Sequence, residues 1–174
     1  MRLTTALLDT PMGPIRLVSD GAALRALEFD DHPHRLHRLL TSHYGRFVLE
    51  DGPIPDSITA ALKAYFDGDL AAIDRIPVAT GGSDFQRRVW AALRRIPPGT
   101  TTSYGALAAA VGQPGASRAV GLANGANPVG IVVPCHRVIG ANGTLTGYGG
   151  GLPRKRWLLE HEGAQLALFR GSAA

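Results

Sequence analysis

Short apolar runs separated by turn-forming residues fill the first thirty positions of the chain. Residues 4–30 interrupt their apolar stretches with PMGP at 11–14 and DG at 20–21. Short strands bounded by glycine, proline and aspartate show this pattern. The sequence therefore predicts a small antiparallel β-meander at the N-terminus.

Helical periodicity replaces this pattern over residues 33–44, with Pro33 suited to the first helical position and Gly45 to the C-terminal stop. The apolar positions of this predicted helix are Leu36, Leu39, Leu40 and Tyr44. The histidines in or beside it are His32, His34, His37 and His43. They could bind a metal, but no cysteine or carboxylate pattern completes a site, so a solvated helix face is the alternative. A second helix is predicted over 56–66.

A connection over residues 67–82 contains proline and glycine and ends in TGG. We place a domain boundary there, which gives an N-terminal domain of residues 1–79 and a C-terminal domain of residues 80–174. The second domain opens on a predicted helix, because Ser83 and Gln86 match a capping box. Its apolar stripe consists of Phe85, Val89, Trp90 and Leu93. The PPG motif at 97–99 is expected to end this helix, because proline cannot continue it.

Two short helices joined by a glycine-containing turn are predicted next. Ser103 can cap the first helix, and Gly112 ends it. The second spans 116–124. This layout is typical of a helix-turn-helix, and an ordinary αα-hairpin is the alternative.

The exposed face of the second of these helices is almost bare. Ala119, Gly121 and Ala123 are small, and Arg118 is its one long cation. A sequence-reading helix needs several side chains that reach base edges in the major groove. This face instead favours close approach to a narrow groove, with Arg118 entering the base stack as a nucleotide is extracted. The alternatives are a phosphate contact or salt bridge for Arg118 and tight helix packing for the small residues.

The apolar run IVV at 131–133 predicts a short buried strand that leads into PCHR at 134–137. A glycine-rich loop follows at 147–151. A last helix is predicted over 154–161, with Gly163 suited to its C-terminal cap.

Composition and charge narrow the class of protein. Of the 174 residues, 45% are hydrophobic and 18% are charged, which is typical of a globular protein. The net charge of +4 suits a polyanionic partner without requiring one. We expect a cytoplasmic protein with no membrane span, because no long apolar stretch or signal peptide is present. The single cysteine, Cys135, excludes an internal disulfide and a multi-cysteine zinc site.

Cys135 and its neighbours carry the candidate chemistry. The thiolate is the nucleophilic form of cysteine, and an adjacent base or cation favours it. His136 is adjacent, but neighbouring side chains of a strand point to opposite faces, so a Cys–His pair requires a turn or a bridging water. Glu162 is a candidate to orient the imidazole. On chemistry alone a cysteine hydrolase stays open, with the loop at 147–151 supplying an oxyanion hole.

These motifs resemble a known family. IVVPCHRV at 131–138 is similar to the active-site signature of the O6-alkylguanine-DNA alkyltransferases, also called methylated-DNA–protein-cysteine methyltransferases. Further segments agree with the family in order and spacing: TSYG at 102–105, RAVG at 118–121, NP at 127–128, GYGGG at 147–151, LL at 158–159 and EG at 162–163. The match runs from about Thr80 to Gln165, and the N-terminal half is similar only in layout. Because it lacks an added zinc-binding module, the chain resembles the constitutive bacterial type of this family.

The resemblance implies an α+β fold, with a ribonuclease H-like N-terminal domain and a mostly helical C-terminal domain that contains the helix-turn-helix. It implies irreversible transfer of the alkyl group of O6-alkylguanine, and of O4-alkylthymine, to Cys135, once per molecule. His136 acts on Cys135 through a water, Glu162 holds His136, and Asn127 supports the turn before them. No metal or organic cofactor is implied.

The resemblance also implies contacts with substrate. Arg118 takes the place of the flipped nucleotide, and Tyr104 helps to rotate that nucleotide out and protonates the leaving guanine. The other DNA-facing residues are Ser103, Ala119, Gly121 and Ala123. The guanine pocket is lined by Tyr148 and by the backbone around Val138 and Gly149. Many relatives carry serine or another side chain at the position of Gly149, so a side-chain bond to the guanine O6 is lost here.

The implied partner is double-stranded DNA with an alkylated guanine, bound through its minor groove by a protein monomer. A damage sensor without transfer activity and a helix-turn-helix regulator are the alternatives. The presence of Cys135 argues against the sensor. The bare helix at 116–124 argues against the regulator, which needs a richer reading helix.

Overall fold

The computed structural model describes residues 1–164. The chain divides into two compact units: Met1–Gly82 with Pro128–Val132, and Ser83–Asn127 with the residues from Val133 onward. The segment Pro128–Val132 thus interrupts the second unit in sequence but belongs to the first. The end of the predicted C-terminal domain and Gln165, where the resemblance ends, lie outside the described residues.

The first unit contains a four-stranded sheet in the order β3-β2-β1-β4. Its strands are β1 (Arg2–Leu8), β2 (Ile15–Ser19), β3 (Leu24–Phe29) and β4 (Val48–Asp51). The first three form the predicted antiparallel meander, and β4 joins the sheet parallel to β1. The sequence does not predict β4, because all four of its residues are exposed and no alternation marks a buried face.

Two helices accompany this sheet, with the predicted bounds: α1 (Pro33–Tyr44) and α2 (Asp56–Phe66). The predicted connection after α2 contains a short 3₁₀ helix, Leu70–Arg75. The apolar side of α1 forms a buried cluster with the sheet through Leu3, Val18, Ala26, Leu36 and Leu40. Among residues 1–164 no group of three or more histidine, cysteine or carboxylate side chains could hold a metal ion. On α1, His34 and His37 are exposed and His43 is half-buried.

The run at 131–133 is buried but is not a strand, so that prediction is wrong. Within Pro128–Val132 only Val129 forms a β-bridge, and its partner is Leu27 of β3. Ile131 has a φ of 68°, which is incompatible with extended backbone. A short buried apolar run alone does not distinguish a strand from a buried turn.

The second unit is mostly helical, as predicted. Its helices are α3 (Asp84–Arg94), α4 (Tyr104–Ala110), α5 (Ser117–Gly125) and α6 (Leu152–His161). Two very short strands, β5 (Thr102–Ser103) and β6 (Val138–Ile139), pair in parallel. The helix α6 begins two residues earlier than predicted, after Gly151, whose φ of 93° suits glycine.

Local hydrogen bonds explain where these helices begin. Both bonds of the predicted capping box between Ser83 and Gln86 are present at the start of α3. The hydroxyl of Ser103 accepts from the amide of Ala106 at 3.1 Å and caps α4. The indole N–H of Trp90 on α3 donates to the carbonyl of Ala123 on α5 at 2.8 Å, which fixes one helix against the other. No helix within residues 1–164 has the length and apolar content needed to cross a membrane.

Candidate active site and DNA-facing surface

Cys135 begins a single 3₁₀ turn, Cys135–Arg137, rather than continuing a strand. Its amide donates to the carbonyl of Val133 at 2.8 Å, and the amide of Arg137 donates to the carbonyl of Pro134 at 3.0 Å. Cys135 is 8% exposed, and His136 is fully buried. The turn that a Cys–His pair requires is therefore present in the backbone.

His136 and Glu162 form a buried pair. Nε2 of His136 lies 3.0 Å from Oε2 of Glu162, and neither side chain is exposed. Glu162 directly follows α6. No group in the described part of the chain hydrogen-bonds Nδ1 of His136, although that atom is buried. The imidazole is thus held at one nitrogen, and the other is available to a further partner.

Arg137 holds the same carboxylate in a fork. Its Nε donates to Oε1 of Glu162 at 2.9 Å and its Nη2 donates to Oε2 at 2.8 Å. Its Nη1 donates to the carbonyl of Ile96, after α3, at 2.6 Å. The resemblance assigns Arg137 no role, and its place beside His136 in the PCHR motif is the only sequence signal that points to it. Bidentate guanidinium–carboxylate bonds are strong and directional, so Glu162 is fixed in place.

The charges of this cluster follow from burial and its ion pairs. Burial raises the pKa of Glu162, but His136 and Arg137 outweigh it and hold that pKa well below its ordinary value. Burial lowers the pKa of His136, and Glu162 offsets this only in part. An ionised carboxylate therefore accepts the Nε2–H of a neutral imidazole. The lone pair of His136 is then on Nδ1, where it can accept a proton.

Asn127 supports the backbone before the reactive turn. Its side-chain amide donates to the carbonyl of Val133 at 2.8 Å. Asn127 and Val133 flank the segment Pro128–Val132, so this hydrogen bond holds the two ends of the segment together. Asn124, which no sequence motif marks as functional, is also buried, and its amide lies 3.5 Å from the carbonyl of Cys135.

Further polar contacts join the segments that the resemblance assigns to the guanine pocket. The hydroxyls of Tyr104 and Thr146 lie 2.9 Å apart. The ammonium of Lys155 donates to the carbonyls of Val138 at 2.6 Å and Thr146 at 2.9 Å. In the following loop Tyr148 is half-buried and Gly149 is exposed. Thr146 and Lys155 are functional candidates that sequence reasoning missed.

The exposed face of α5 is small, apolar and nearly uncharged. Arg118 and Ala119 are exposed, and Arg118 forms no hydrogen bond or ion pair with any of residues 1–164. Leu122, one turn after Arg118, is 72% exposed. Its helical spacing from Arg118 is the signal that could have placed it on this face.

The remaining predicted DNA-facing residues divide between surface and interior. Ser103 and Tyr104 are half-buried at the start of α4. A side-chain carbon at Gly121 would lie 3.8 Å from the ring of Tyr104, so the two helices approach closely there. Ala123 does not share the exposed face: it is 2% exposed, and its carbonyl accepts the Trp90 indole bond. Tight helix packing, rather than contact with DNA, therefore accounts for Ala123.

Cys135 is buried and directly precedes the histidine of a buried His–Glu pair, which defines a candidate thiol nucleophile, and the same unit contains the two short helices α4 and α5. Comparison with known proteins identifies the family. The model of the 6-O-methylguanine DNA methyltransferase DNA-binding domain matches residues 84–164. The model of the ribonuclease-like domain of the same proteins matches residues 3–80. The resemblance therefore extends through the N-terminal half, further than the sequence motifs alone indicate.

Individual relatives agree. The methylated-DNA–protein-cysteine methyltransferase of Mycolicibacterium paratuberculosis is 62% identical over 166 residues, 93% of this chain and 96% of the relative. That of Salmonella typhimurium is 53% identical over 166 residues, 94% of this chain and 97% of the relative. The chain belongs to the 6-O-methylguanine DNA methyltransferase family.

Solved structures support the fold. The crystal structure of Mycobacterium tuberculosis O6-methylguanine methyltransferase is 43% identical, with a TM-score of 0.76 over 95% of this chain and 98% of that chain. Mycobacterium tuberculosis OGT in complex with DNA is 41% identical, with a TM-score of 0.76 over 99% of this chain and 98% of that chain. The mixed α and β architecture predicted from the sequence is confirmed.

Proposed function

We propose that this protein repairs DNA by transferring the alkyl group of O6-alkylguanine to the sulfur of Cys135, once per molecule. The new bond joins Sγ to the alkyl carbon, and the bond between that carbon and the guanine O6 breaks. The electron pair leaves with guanine, whose ring takes up a proton. The thioether is stable, so each molecule acts once. O4-alkylthymine likewise carries an sp³ alkyl carbon on an exocyclic oxygen of the base and is proposed as a second substrate.

The buried His136–Glu162 pair is the observation that carries this proposal. An ionised Glu162 fixes the tautomer in which Nδ1 of His136 accepts a proton. A water between Nδ1 and Cys135 would relay the thiol proton to the imidazole. The resulting imidazolium is stabilised by the Glu162 carboxylate, in the manner of other oriented Cys–His bases. The thiolate forms where the alkyl carbon is to be presented.

We propose that the exposed face of α5 enters the minor groove of double-stranded DNA. Arg118 is exposed and without a partner among the described residues, so its guanidinium can replace the base that leaves the stack. Ala119 and Gly121 permit close approach, and Leu122 adds apolar contact of the kind that minor-groove proteins insert. Ser103 supplies a hydrogen-bonding group at the start of α4.

The extruded guanine is proposed to lie between Tyr148 and the backbone around Val138. At Gly149 only the backbone N–H can reach the guanine O6, because no side chain is present. Tyr104 is proposed to turn the nucleotide out of the duplex and to protonate the leaving base through its hydroxyl, which Thr146 orients at 2.9 Å. The mechanism uses no metal or organic cofactor, because a thiolate attacks an alkyl carbon directly.

We propose that the protein acts as a monomer, because one chain contains the nucleophile, its base and the two helices of the helix-turn-helix. We also propose that it acts in the cytoplasm. A titration tests the stoichiometry. Increasing amounts of a duplex containing one O6-methylguanine are added to a fixed amount of protein, and the lesion remaining is measured by chromatography of the nucleosides. We expect one lesion to be lost per protein molecule, and none with Cys135→Ser.

The alternatives predict different titrations. A damage sensor would bind the lesion without removing it. A regulator would bind undamaged DNA according to sequence, whether or not a lesion is present. Repeated loss of lesions, in excess of the protein, would indicate a catalytic hydrolase rather than an alkyl acceptor. Each of these three results contradicts the proposal.

A further inference from the structure

Asn124 is a buried amide beside the reactive turn, and only one end of it has a partner within the described chain. It is 6% exposed and belongs to the last turn of α5, the helix whose exposed face is proposed to enter DNA. Its Oδ1 is buried and accepts no hydrogen bond from any of residues 1–164. Burial of a polar atom without a partner is costly, so such an atom in a folded protein calls for an explanation.

Resting on the function proposed above, we propose that Asn124 is a specificity residue of the guanine pocket. Its Oδ1 accepts a hydrogen bond from the 2-amino group of the extruded O6-alkylguanine. In this role Asn124 touches the base but takes no part in the transfer of the alkyl group or of a proton. It recognises guanine along the edge of the ring that also carries the alkylated oxygen.

The carbonyl of Cys135 determines which end of the Asn124 amide is the acceptor. Nδ2 of Asn124 lies 3.5 Å from that carbonyl oxygen, which is a long and weak hydrogen bond. If the two ends of the amide were exchanged, two acceptor oxygens would face each other without a hydrogen between them. Oδ1 is therefore the end turned away from the carbonyl, and it is also the end without a partner in the described chain.

The carbonyl of Cys135 is itself already used by the protein. The amide N–H of Val138 donates to it at the end of the 3₁₀ turn, and Nδ2 of Asn124 is a second donor. A carbonyl oxygen has two lone pairs, so both are engaged. Of these two oxygens beside the nucleophile, Oδ1 of Asn124 is the one that keeps its full capacity to accept from a substrate.

The substrate has a single group that can meet this oxygen. Alkylation at O6 removes the hydrogen from N1 of guanine, so the ring nitrogens N1, N3 and N7 are all acceptors. The exocyclic 2-amino group is then the only N–H donor of the base. It loses its surroundings in the duplex when the nucleotide is turned out of the stack. The extruded base and the protein thus each bring an unpaired group, and the two groups are complementary.

The position of Asn124 fits this contact. Sγ of Cys135 must approach the alkyl carbon on O6, and the 2-amino group lies on the same edge of the six-membered ring, with N1 between them. The sulfur and the carbonyl of Cys135 belong to one residue, so an amide that contacts this carbonyl lies close to the sulfur as well. One edge of the base can therefore meet Cys135 at O6 and Asn124 at the 2-amino group.

Asn127 supplies a matched control. It too is a buried asparagine of the second unit, and its Nδ2 donates to the carbonyl of Val133 at 2.8 Å. That bond supports the backbone and does not depend on which base is bound. We would compare Asn124→Leu and Asn127→Leu with the unsubstituted protein in single-turnover transfer from two duplexes. One duplex contains O6-methylguanine, and the other contains O6-methylhypoxanthine, the same methylated purine without the 2-amino group.

For Asn124→Leu we expect transfer from O6-methylguanine to be about tenfold slower, which corresponds to about 1.4 kcal/mol for one lost hydrogen bond. Transfer from O6-methylhypoxanthine should change by less than about twofold, because this base has no amino group that could lose a partner. Asn127→Leu should slow transfer from both bases by the same factor. Comparing variants on each base cancels the intrinsic difference in reactivity between the two bases.

Two results would overturn the proposal. If Asn124→Leu slowed transfer from both bases by the same factor, Asn124 would only support the reactive turn, as Asn127 does. If Asn124→Leu slowed neither, Oδ1 would make no contact that matters to the reaction.

A second measurement needs no substitution at Asn124. The chain contains three asparagines, Asn124, Asn127 and Asn142, so carbon-13 at Cγ of asparagine gives three NMR signals. Asn127→Leu and Asn142→Asp each remove one signal and so assign the third. In complexes of Cys135→Ser, the Asn124 signal should differ between the two duplexes, because a carbonyl that accepts a hydrogen bond changes its chemical shift. Identical Asn124 signals would overturn the proposal even if Asn124→Leu failed to fold.

The proposed function and this inference fail in different ways. If neither methylated base is ever removed by the unsubstituted protein, the alkyl-transfer function is wrong, and the NMR comparison still tests the contact of Asn124 with the base. If O6-methylguanine is removed once per molecule while Asn124→Leu affects both bases equally, the role of Asn124 is wrong.

Discussion

The two compact units bury different kinds of side chain. In the first unit the buried polar residues are Thr5, Ser19 and Glu28, and apolar side chains of the sheet and its helices form the rest of the core. In the second unit the buried polar residues are Asn124, Asn127, His136, Arg137, Lys155 and Glu162. Five of these six contact Cys135 or one another through hydrogen bonds or charge, and the sixth, Asn127, bonds the backbone just before the turn.

This difference separates stability from chemistry. Burial of apolar side chains stabilises a fold without a desolvation penalty. Buried ions carry a large desolvation penalty, which their mutual hydrogen bonds and charge interactions must offset. Replacing a buried ion network by apolar groups is often neutral or stabilising. The network of the second unit is therefore better explained by the reaction that it supports than by the stability of the fold.

The largest expected effect comes from Glu162→Gln. Removal of its charge leaves the guanidinium of Arg137 uncompensated and frees the tautomer of His136. We expect a loss of about 3–5 kcal/mol in the free energy of unfolding and a fall of about 100-fold or more in the single-turnover rate of alkyl transfer. Urea denaturation and rapid-quench kinetics measure the two quantities.

Glu28→Gln is the matched control for that prediction. Glu28 is buried to the same degree and pairs with Arg35, but it lies in the first unit. Its substitution should destabilise the protein and leave the transfer rate of the folded fraction within about twofold. If Glu162→Gln and Glu28→Gln lost the same transfer activity for the same loss of stability, the conclusion that the buried charges of the second unit serve the reaction would be wrong.

The next effect concerns the apolar core of the first unit. Leu17 in β2 is 0% exposed. Leu17→Ala should lower the free energy of unfolding by about 2–5 kcal/mol, because it removes buried methyl groups and leaves a cavity. Alkyl transfer at a temperature where the variant is folded should be unchanged. A transfer rate that fell as far as that of Glu162→Gln would show that this core does more than support the fold.

A smaller and more selective effect is expected at the surface of α5. Arg118→Ala should change the free energy of unfolding by less than about 0.5 kcal/mol, since the side chain is exposed. It should slow repair of the duplex lesion by about tenfold or more, which is about 1.4 kcal/mol of lost interaction. The free base O6-methylguanine, which needs no extraction, should react as before.

Arg87→Ala supplies the comparison for Arg118→Ala. Arg87 is an exposed arginine of the same unit, on α3 and paired with Asp84. Arg87→Ala should leave the rate of duplex repair within about twofold of that of the parent protein. If both substitutions slowed repair equally, Arg118 would act only through its contribution to the net charge of the protein.

The smallest expected effect is a dependence of stability on pH. Because the folded pKa of His136 lies below its unfolded value, the unfolded chain binds the proton more tightly. Stability should therefore decrease as the pH falls through about 6.5, by at most about 1.4 kcal/mol per pH unit for this group. Glu162, whose folded pKa is also lowered, should add a further loss below about pH 4.

Urea denaturation at pH 7, 6 and 5 measures the histidine contribution. The difference in stability between the parent protein and His136→Gln should narrow toward acid pH. A difference that stayed constant over this range would mean that the pKa of His136 is not lowered by folding.

Local patterns predict much of this fold. Alternating apolar runs and turn residues predict β1–β3. The boundary residues Pro33, Gly45 and Ser83 predict where their helices begin or end to within two residues. The strand β4 escapes prediction because its residues are all exposed and its partner, β1, is distant in sequence. The buried run before Cys135 is misread as a strand because burial, rather than backbone geometry, determines its composition.

The site is predicted only in part for a related reason. The PCHR motif and Glu162 are recognisable in sequence, but the hydrogen bonds that assign roles to Arg137, Thr146 and Lys155 join residues far apart in the chain. Sequence patterns report which side chains are apolar at regular spacing, and they do not report which buried cation meets which carbonyl. The misplacement of Ala123 has the same origin, since a small residue suits both a groove and a helix contact.

The central claim, that Cys135 is the alkyl acceptor, is tested most directly by mass spectrometry. The protein is incubated with an excess of duplex containing O6-methylguanine, and its intact mass and its proteolytic peptides are measured. We predict a gain of one methyl group per molecule, located on Cys135 and absent from Cys135→Ser. A folded, reduced protein that removed the lesion without this gain, or that carried the methyl group elsewhere, would contradict the account.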